Sequence, residues 1–83
     1  MYYVHVLQNK ETGKLYTGYT ANLLRRVKEH KNGNTQTTKT LKTNELIFYE
    51  VFINKMDAIR REKYFKTTKG KSSLRQTIRK SLL

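Results

Sequence analysis

The sequence contains no cysteine and no proline, and its 83 residues include only six acidic side chains and two histidines. Without cysteine, disulfide frameworks and cysteine-ligated zinc sites are excluded. The two histidines, His5 and His30, lie far apart in the sequence, which argues against a histidine-rich zinc site. The chain also lacks an apolar run long enough to span a bilayer, and no signal-peptide pattern opens it. We therefore expect a reducing, cytoplasmic location and no membrane partner.

No linker, repeat or low-complexity tract divides the chain. Residues 1–83 are therefore predicted to form a single domain with one small core. A chain of this length buries only about 60–65% of the surface that its unfolded form exposes, so its stability should be modest. A hydrophobic content of 36%, with 11% aromatic residues, is sufficient for such a core.

Positive charge is the dominant bulk property, because 18 Lys and Arg against 6 Asp and Glu give a formal net charge of +12. Such a surface attracts polyanions and speeds their encounter, so nucleic acid is the expected partner. From residue 55 onward ten basic residues accompany two acidic ones, which assigns +8 of the charge to this region. The alternative is a basic surface that serves solubility alone, but +12 exceeds what solubility requires in so small a chain.

Three strands are predicted. Residues 2–7 and 15–19 are rich in aromatic and β-branched side chains, and the turn-forming residues 9–13 between them predict an antiparallel hairpin. With a turn centred near Glu11, His5 and Tyr16 are expected to be approximate cross-strand neighbours. The nearly continuous apolar run over residues 46–53 predicts a strand that is covered on both faces and is therefore central to the sheet.

The first predicted helix follows the hairpin. Thr20 is its expected N-cap, and the helix runs through His30 and ends before Gly33. Arg26 and His30 then lie on one helix face at i, i+4. Residues 34–44 are rich in Thr, Asn and Lys and are predicted to form a mobile loop.

Two further helices are predicted in the C-terminal region. Asn54 is the expected N-cap of the first, on which Glu62 interrupts the apolar face. Residues 67–73 are predicted to be a break before the last helix. The apolar positions of that helix are spaced at i, i+4, i+8 and are expected to pack in the core: Leu74, Ile78 and Leu82.

Four reactive side chains distinguish this chain from a simple basic protein: Tyr16, Arg26, His30 and Glu62. Hydrolysis of a phosphodiester requires an aligned water, a proton acceptor and positive charge on the phosphate oxygens. Arginine suits a phosphate because its planar fork donates two parallel hydrogen bonds. A hard cation such as Mg²⁺ needs only one or two protein carboxylates. Glu62 is the best candidate ligand because it stands where an apolar residue is expected.

These residues, in this order, resemble the GIY-YIG nuclease superfamily, and most of all its short stand-alone bacterial members. The most specific stretch runs from Thr12 to His30, and Arg60-Arg61-Glu62-Lys63 follows on a later helix. The resemblance implies an α+β, sandwich-like fold with a three-stranded antiparallel sheet flanked by about three helices. It also implies divalent-metal-dependent cleavage of nucleic-acid strands.

The resemblance assigns roles to individual residues. Tyr16 and Gly18 occupy the second motif, with Gly18 structural, and Arg26 occupies the position of the catalytic arginine. His30 matches a histidine that some members carry on this helix. Glu62 matches the metal-binding glutamate, which implies one Mg²⁺ or Mn²⁺ ion.

The first motif departs from the family pattern, because Tyr3-Val4-His5 stands in place of Gly-Ile-Tyr. His5 thus replaces the tyrosine that is thought to help deprotonate the attacking water. A tyrosine with its ordinary pKa of about 10 needs activation, whereas a histidine near 6.5 is largely neutral and basic at pH 7. We therefore expect His5, with Tyr16 adjacent, to accept the proton.

Each of these side chains also has a purely structural interpretation. His5 is then a hydrogen-bonded core histidine, Tyr16 a core aromatic, and His30 a partner of the helix dipole. Gly18 beside Tyr16 leaves backbone room for a ligand, which favours function. Glu62 has three candidate ion-pair partners: Arg61, Lys66 and Arg26.

The leading hypothesis is a metal-dependent endonuclease that acts on DNA rather than RNA as a monomer or weak dimer, with structure-selective nicking in repair or recombination as one form. The alternative is a catalytically weak or inactive basic module of the same fold that binds DNA or RNA. In both cases further basic side chains are expected to contact phosphates without reading sequence. They are Arg25, Lys28, Arg61, Lys63, Lys66, Lys69 and Lys71.

Overall fold

The computed structural model describes residues 1–31 and 44–82, with the side chains of residues 30 and 31 left outside the description. The loop predicted over residues 34–44 lies outside the described residues apart from Asn44, which begins a strand. The described chain is an α+β fold, as predicted. Its elements are β1 (Tyr2–Asn9), β2 (Leu15–Thr20), α1 (Leu23–Lys31), β3 (Asn44–Phe52), α2 (Lys55–Phe65) and α3 (Thr68–Thr77).

The three strands form one antiparallel sheet in the order β2-β1-β3. The antiparallel sheet is confirmed, but the prediction that the strand over residues 46–53 is central is wrong. The central strand is β1, which is buried continuously from Val4 to Asn9. In the edge strand β3, Tyr49 is 50% exposed and Val51 45%. The apolar run suggested a central strand because β3 packs apolar side chains on both faces of the sheet. A strand can do so at an edge, and β3 has only one neighbouring strand in the described sheet.

The turn between β1 and β2 is built on the buried side chain of Asn9. Its Oδ1 accepts hydrogen bonds from the backbone N–H groups of Glu11 and Thr12, both at 2.9 Å. Gly13 follows with φ of +77°, a left-handed conformation that glycine adopts without steric cost. The sequence therefore specifies both the position and the backbone shape of this turn.

The turn fixes a register that differs from the prediction by two residues. His5 lies opposite Gly18, and Tyr16 lies opposite Leu7. Because side chains alternate between the two faces of a sheet, an offset of two keeps His5 and Tyr16 on the same face. The two side chains are thus diagonal neighbours rather than a direct pair.

Helix α1 begins at Leu23, and Asn22 is its N-cap, so the assignment of this role to Thr20 is wrong. The Asn22 side chain accepts a hydrogen bond from the Arg25 backbone N–H at 3.0 Å. Thr20 stabilises the turn before the helix, because its hydroxyl oxygen accepts from the Asn22 N–H at 3.0 Å and donates to the Asn22 carbonyl at 3.1 Å. Thr20 and Asn22 are both short polar residues that can cap a helix. Thr20 is the last residue of β2, so the cap falls on Asn22.

Helix α2 starts as predicted, because the Asn54 side chain accepts from the Met56 N–H at 2.8 Å. The predicted break over residues 67–73 is wrong. Thr67 caps α3 by accepting from the Gly70 N–H at 3.0 Å, so α3 starts one residue later at Thr68. Gly70 sits inside the helix because a Cβ there would collide with the backbone carbonyl of Tyr64 at the end of α2.

The core lies between the sheet and the pair α2–α3. Val4 and Val6 of β1 pack there against buried side chains of both helices and of the residue that follows α3: Ala58, Phe65, Leu74 and Ile78. Helix α1 packs on the opposite face, where Leu23 and Val27 line a shallow cavity with Tyr3, Leu46 and Tyr49 of the sheet. None of the helices in residues 1–31 and 44–82 is long and apolar enough to cross a membrane.

Gly70 provides a test of the α2–α3 crossing. An exposed Gly→Ala change inside a helix usually stabilises by about 0.5–1 kcal/mol. We expect Gly70→Ala to do the opposite and destabilise by roughly 1–3 kcal/mol or more, because the helices must separate. Urea denaturation measures the effect, with the exposed Ser72→Ala as the control expected to stay within about 0.5 kcal/mol of the parent. A Gly70→Ala protein as stable as its parent would contradict this packing.

Candidate active site

A cavity of about 210 Å³ opens at the β2 edge of the sheet. Its lining comes from β1, β2, α1 and α2, and comprises His5, Leu7, Tyr16, Thr17, Gly18, Tyr19, Arg26 and Glu62. Four of the five residues with predicted catalytic roles therefore meet in one place. The side chain of the fifth, His30, lies outside the described residues.

The edge position of β2 explains how side chains from both faces of the sheet reach one cavity. Tyr16 and Gly18 lie on the face that α1 covers, and α1 carries Arg26. Helix α2 packs on the opposite face and carries Glu62. Because β2 has no further strand beside it in the described sheet, Glu62 and Arg26 can line one cavity at its open edge from opposite faces.

His5 is 3% exposed, and its ring lies directly over the backbone of Gly18. A Cβ at position 18 would be 2.8 Å from His5 Cε1 and 2.9 Å from His5 Nε2. The space left by the missing side chain is therefore filled by the imidazole. From the sequence we expected it to be room for a ligand. Gly18 instead positions the histidine of the first motif.

Arg26 keeps its guanidinium available to the cavity. Its nearest described acidic partner is Glu29, whose Oε2 is 3.8 Å from Arg26 Nη1, beyond hydrogen-bond distance. The other Glu29 oxygen lies 3.5 Å from Nε of Arg25. Glu29 thus divides its charge between two arginines, and the planar fork of Arg26 remains open for two parallel bonds to an anion.

Glu62 is a largely buried carboxylate, its side chain 20% exposed, and it forms an ion pair with Lys66. Lys66 Nζ lies 3.2 Å from Glu62 Oε2 and donates a hydrogen bond to it. Of the three partners considered from the sequence, Lys66 is therefore the one present. Arg61 instead donates to both carboxylate oxygens of Glu50, at 2.9 and 3.3 Å.

The cavity fits a hard cation held by few protein ligands. Mg²⁺ and Mn²⁺ accept a single carboxylate when water and phosphate oxygens supply the other positions. Glu62 offers such a carboxylate in the same cavity as Arg26. No group of three or more His, Cys, Asp or Glu side chains occurs within the described ranges, so these residues do not build a site that encloses a metal with protein ligands alone.

Among the residues predicted to contact phosphates, some form ion pairs with other described residues and some do not. The Arg61 guanidinium is bound to Glu50 and lies 4.3 Å from the centre of the Phe65 ring, which ties it to the fold. Arg25 lies beside Glu29, and Lys66 beside Glu62. The others are exposed and have no ion pair to another described residue: Lys28, Lys63, Lys69 and Lys71.

Sequence reasoning did not select Leu7, Thr17 and Tyr19, which also line the cavity. Thr17 and Tyr19 flank the selected Gly18 on an edge strand, where both faces border the site. Recognition of β2 as an edge strand is the signal that identifies them. Leu7 follows from the register, because it pairs with Tyr16.

Comparison with known proteins identifies similar chains. The family described as "GIY-YIG catalytic domain" matches residues 1–76. The UPF0213 protein CPE1444 of Clostridium perfringens is 37% identical over 83 residues, which span 99% of this chain and 88% of the relative. The UPF0213 protein YazA of Bacillus subtilis is 46% identical over 52 residues, or 61% of this chain and 52% of that protein.

A solved structure is similar as well. It is the solution NMR structure of the UPF0213 protein BH0048 from Bacillus halodurans, with a TM-score of 0.57 and 32% sequence identity. The match covers 93% of this chain and 85% of that one. The names of these relatives state no activity. Their similarity to this chain therefore establishes its family and its fold, but no activity.

The contact between His5 and Gly18 is open to a double-mutant test. We expect Gly18→Ala to destabilise the fold by roughly 1–3 kcal/mol, because the new Cβ must displace a buried ring. In a His5→Ala background the ring is gone, so the same change should cost less, with a coupling energy of about 1 kcal/mol or more. Urea denaturation of the four proteins measures the coupling.

Gly13→Ala is the matched control for this cycle. It introduces the same methyl group at a glycine with positive φ. The added Cβ would have no atom within 4 Å apart from its chain neighbours, so the change is expected to destabilise through backbone strain alone. Its effect should therefore add to that of His5→Ala. Additive effects for Gly18→Ala as well would show that the ring does not rest on Gly18.

Proposed function

Because this chain belongs to the GIY-YIG family, we propose that it is an endonuclease that hydrolyses phosphodiester bonds in DNA with one divalent cation, Mg²⁺ or Mn²⁺. The observation that carries the proposal is the shared cavity of His5, Tyr16, Arg26 and Glu62. An imidazole, a phenol, a guanidinium and a carboxylate there supply a proton acceptor, a phosphate ligand and a cation ligand, which is the set that the reaction requires.

Arg26 is proposed to bind the scissile phosphate. Its side chain is 37% exposed and its guanidinium is held only loosely by Glu29, so little has to be broken before an anion binds. The two parallel bonds of its fork orient the phosphate as well as neutralise it. Extra negative charge that develops on the phosphate oxygens in the transition state then strengthens the same bonds.

His5 is proposed to accept the proton of the attacking water, with Tyr16 beside it. The Gly18 contact holds the imidazole in one position, which removes the need to order it during the reaction. Tyr16 lies one diagonal step away on the same face and can orient the water through its hydroxyl group. For His30, four residues after Arg26 on α1, we keep the assisting role that the sequence resemblance implies.

Glu62 is proposed to hold the divalent cation. When bound, such an ion supplies positive charge to the phosphate and to the leaving oxygen. Before the ion binds, Lys66 contacts one oxygen of the Glu62 carboxylate, so its ammonium group must either share that carboxylate with the ion or move away from it.

We extend the proposal to the assembly, location and substrate of the protein. It is proposed to act as a monomer or weak dimer in the cytoplasm, to prefer DNA to RNA, and to perform structure-selective nicking in repair or recombination.

A catalytically weak binding module of the same fold is the second candidate function. The ion pair between Lys66 and Glu62 favours it, because an ammonium group already neutralises the carboxylate of the cavity. The net charge of +12 supports nucleic-acid binding in either case. The two candidates differ in what divalent cations and Glu62 contribute.

A cleavage assay separates them. We expect the protein to cut supercoiled, branched or single-stranded DNA in Mg²⁺ or Mn²⁺, and Glu62→Gln to lower the rate by about 10²-fold or more. Asp57→Asn is the matched control, because Asp57 lies on the same helix and pairs with Arg60 outside the cavity. Cutting that is equal in the Glu62→Gln protein, or absent with every DNA and either ion, would rule out the enzyme.

The geometry of Arg26 makes a separate prediction. Arg26→Lys keeps the charge but loses the planar fork, so we expect the cleavage rate to fall by about tenfold or more while binding of uncut DNA changes little. Lys28→Arg adds a fork on an exposed position of the same helix and serves as the reverse control. Full activity in Arg26→Lys would show that only the charge matters.

Lys66 is predicted to weaken cation binding in the absence of DNA. An ion pair at the protein surface is worth about 0.2–1 kcal/mol, so Lys66→Met should tighten Mn²⁺ binding by about 1.4-fold to fivefold at low ionic strength. Lys63→Met removes the same charge from the same helix at a residue with no described ion pair, and should change the affinity less. Calorimetry measures both. Equal effects would mean that Lys66 acts only through net charge.

A further inference from the structure

A second and larger cavity, of about 510 Å³, borders the candidate active site. This volume falls within the range of about 300–1,000 Å³ that small-molecule sites occupy. Its walls come from the end of the hairpin, from β2 and from the junction of α2 with α3. They comprise Lys14, Leu15, Tyr16, Thr17, Phe65, Lys66, Lys71, Leu74 and Arg75.

The cavity combines an apolar floor with a cationic rim. Leu15 and the buried side chains of Phe65 and Leu74 form the floor. Four cations surround it: Lys14, Lys66, Lys71 and Arg75. No acidic residue of the described ranges lines it. Lys66 is paired with Glu62, whereas the other three have no ion pair to another described residue. The rim therefore carries charge that the described fold does not neutralise.

This combination defines the chemistry of the occupant. The rim requires an anion, and the floor requires an apolar or aromatic surface. A nucleotide carries both, because its phosphates suit Lys and Arg and its base has two flat faces that stack on apolar and aromatic side chains. Inorganic phosphate would satisfy the rim alone and leave the apolar floor in water.

Shared walls connect this cavity to the candidate active site. Tyr16 and Thr17 line both cavities, and Lys66 of the second cavity is bonded to Glu62 of the first. A strand whose phosphate lies at Arg26 can thus continue around the β2 edge into the second cavity. A nucleotide of the substrate strand is therefore the occupant that the layout favours over a free nucleotide.

We propose that the second cavity is a subsite for an unpaired nucleotide next to the scissile phosphate. A base that enters it has left the stack and its pairing partner, which is least costly where the strand is already single. The substrate class is then DNA with unpaired nucleotides at the cut, rather than continuous duplex. The position relative to the scissile phosphate rests on the proposed nuclease function, whereas occupation of the cavity by a nucleotide does not.

Methyl NMR tests the occupancy without cleavage. Full-length Glu62→Gln protein, free of divalent cations, is titrated with a short single-stranded oligonucleotide. We expect ring-current shifts at the methyl groups of Leu15 and Leu74, whereas those of Leu24 and Ile53, which are exposed and do not line this cavity, stay unchanged. Binding that leaves the Leu15 and Leu74 methyl groups unshifted overturns the proposal.

Three further ligands identify what the cavity takes. A blunt duplex of the same sequence should shift these methyl groups at least tenfold less at equal saturation. A mononucleotide should shift them only at much higher concentration than the oligonucleotide, and inorganic phosphate should not shift them. Equal shifts with the duplex overturn the unpaired-base assignment, and a mononucleotide that binds as tightly as the oligonucleotide identifies a free-nucleotide site instead.

Paired charge variants test the rim. For single-stranded DNA we expect the Lys71→Ala/Arg75→Ala protein to reduce the slope of log affinity against log salt by about 1.4, the value for two lost phosphate contacts. The control Arg79→Ala/Lys80→Ala removes the same charge from exposed positions outside both cavities and should reduce the slope by less than half as much. Equal slopes in the two variants overturn the subsite.

Failure of the subsite and failure of the proposed function give different results. If the methyl shifts occur but no DNA is cut, the subsite stands and the nuclease proposal fails. If DNA is cut in a Glu62-dependent way without methyl shifts, the reverse holds. An abasic residue placed at successive positions of a cleavable strand then locates the subsite, because loss of one base should lower affinity about fivefold or more at a single position relative to the cut.

Discussion

The register of the β1–β2 hairpin is the constraint on which the candidate site depends. Asn9 and Gly13 fix the turn, and the turn places His5 over Gly18 with Tyr16 one diagonal step away. A slip of one residue would send the Tyr16 side chain to the other face of the sheet. Because β2 is also an edge strand in the described sheet, Glu62 on the helix behind it can line the same cavity.

Much of this arrangement could be predicted from the sequence, because its local signals agree with one another. The enrichment of two segments in aromatic and β-branched residues, with turn residues between them, was enough to identify the hairpin. Side-chain caps such as Asn54 marked a helix start. The interruption of an apolar helix face was enough to single out Glu62, whose carboxylate does line the cavity. Order and spacing carried the remaining signal, since the family pattern selected Tyr16 and Arg26 among many similar residues.

The errors arose where tertiary contacts override local pattern. Apolar content suggested that β3 is central, but the central strand β1 carries buried polar side chains, including His5 and Asn9. Residues 67–73 were predicted to be a break, although the helix already begins at Thr68 and close approach to α2 is what requires glycine at position 70. Composition also does not reveal the bond of Arg61 to Glu50, which the prediction of a phosphate contact at Arg61 did not include. The second cavity was also missed, since its rim joins Lys14 to Arg75, which lie far apart in the sequence.

Paramagnetic broadening by Mn²⁺ tests most directly whether the four side chains act at one centre. In the presence of a short DNA strand, a single ion at Glu62 should broaden the ring signals of His5 and Tyr16 first. Signals of Phe52 and Ile53, at the end of the opposite edge strand, should broaden only at higher Mn²⁺ concentration. Broadening that is uniform over the surface, or that centres on Asp57 and leaves His5 unaffected, would contradict the account.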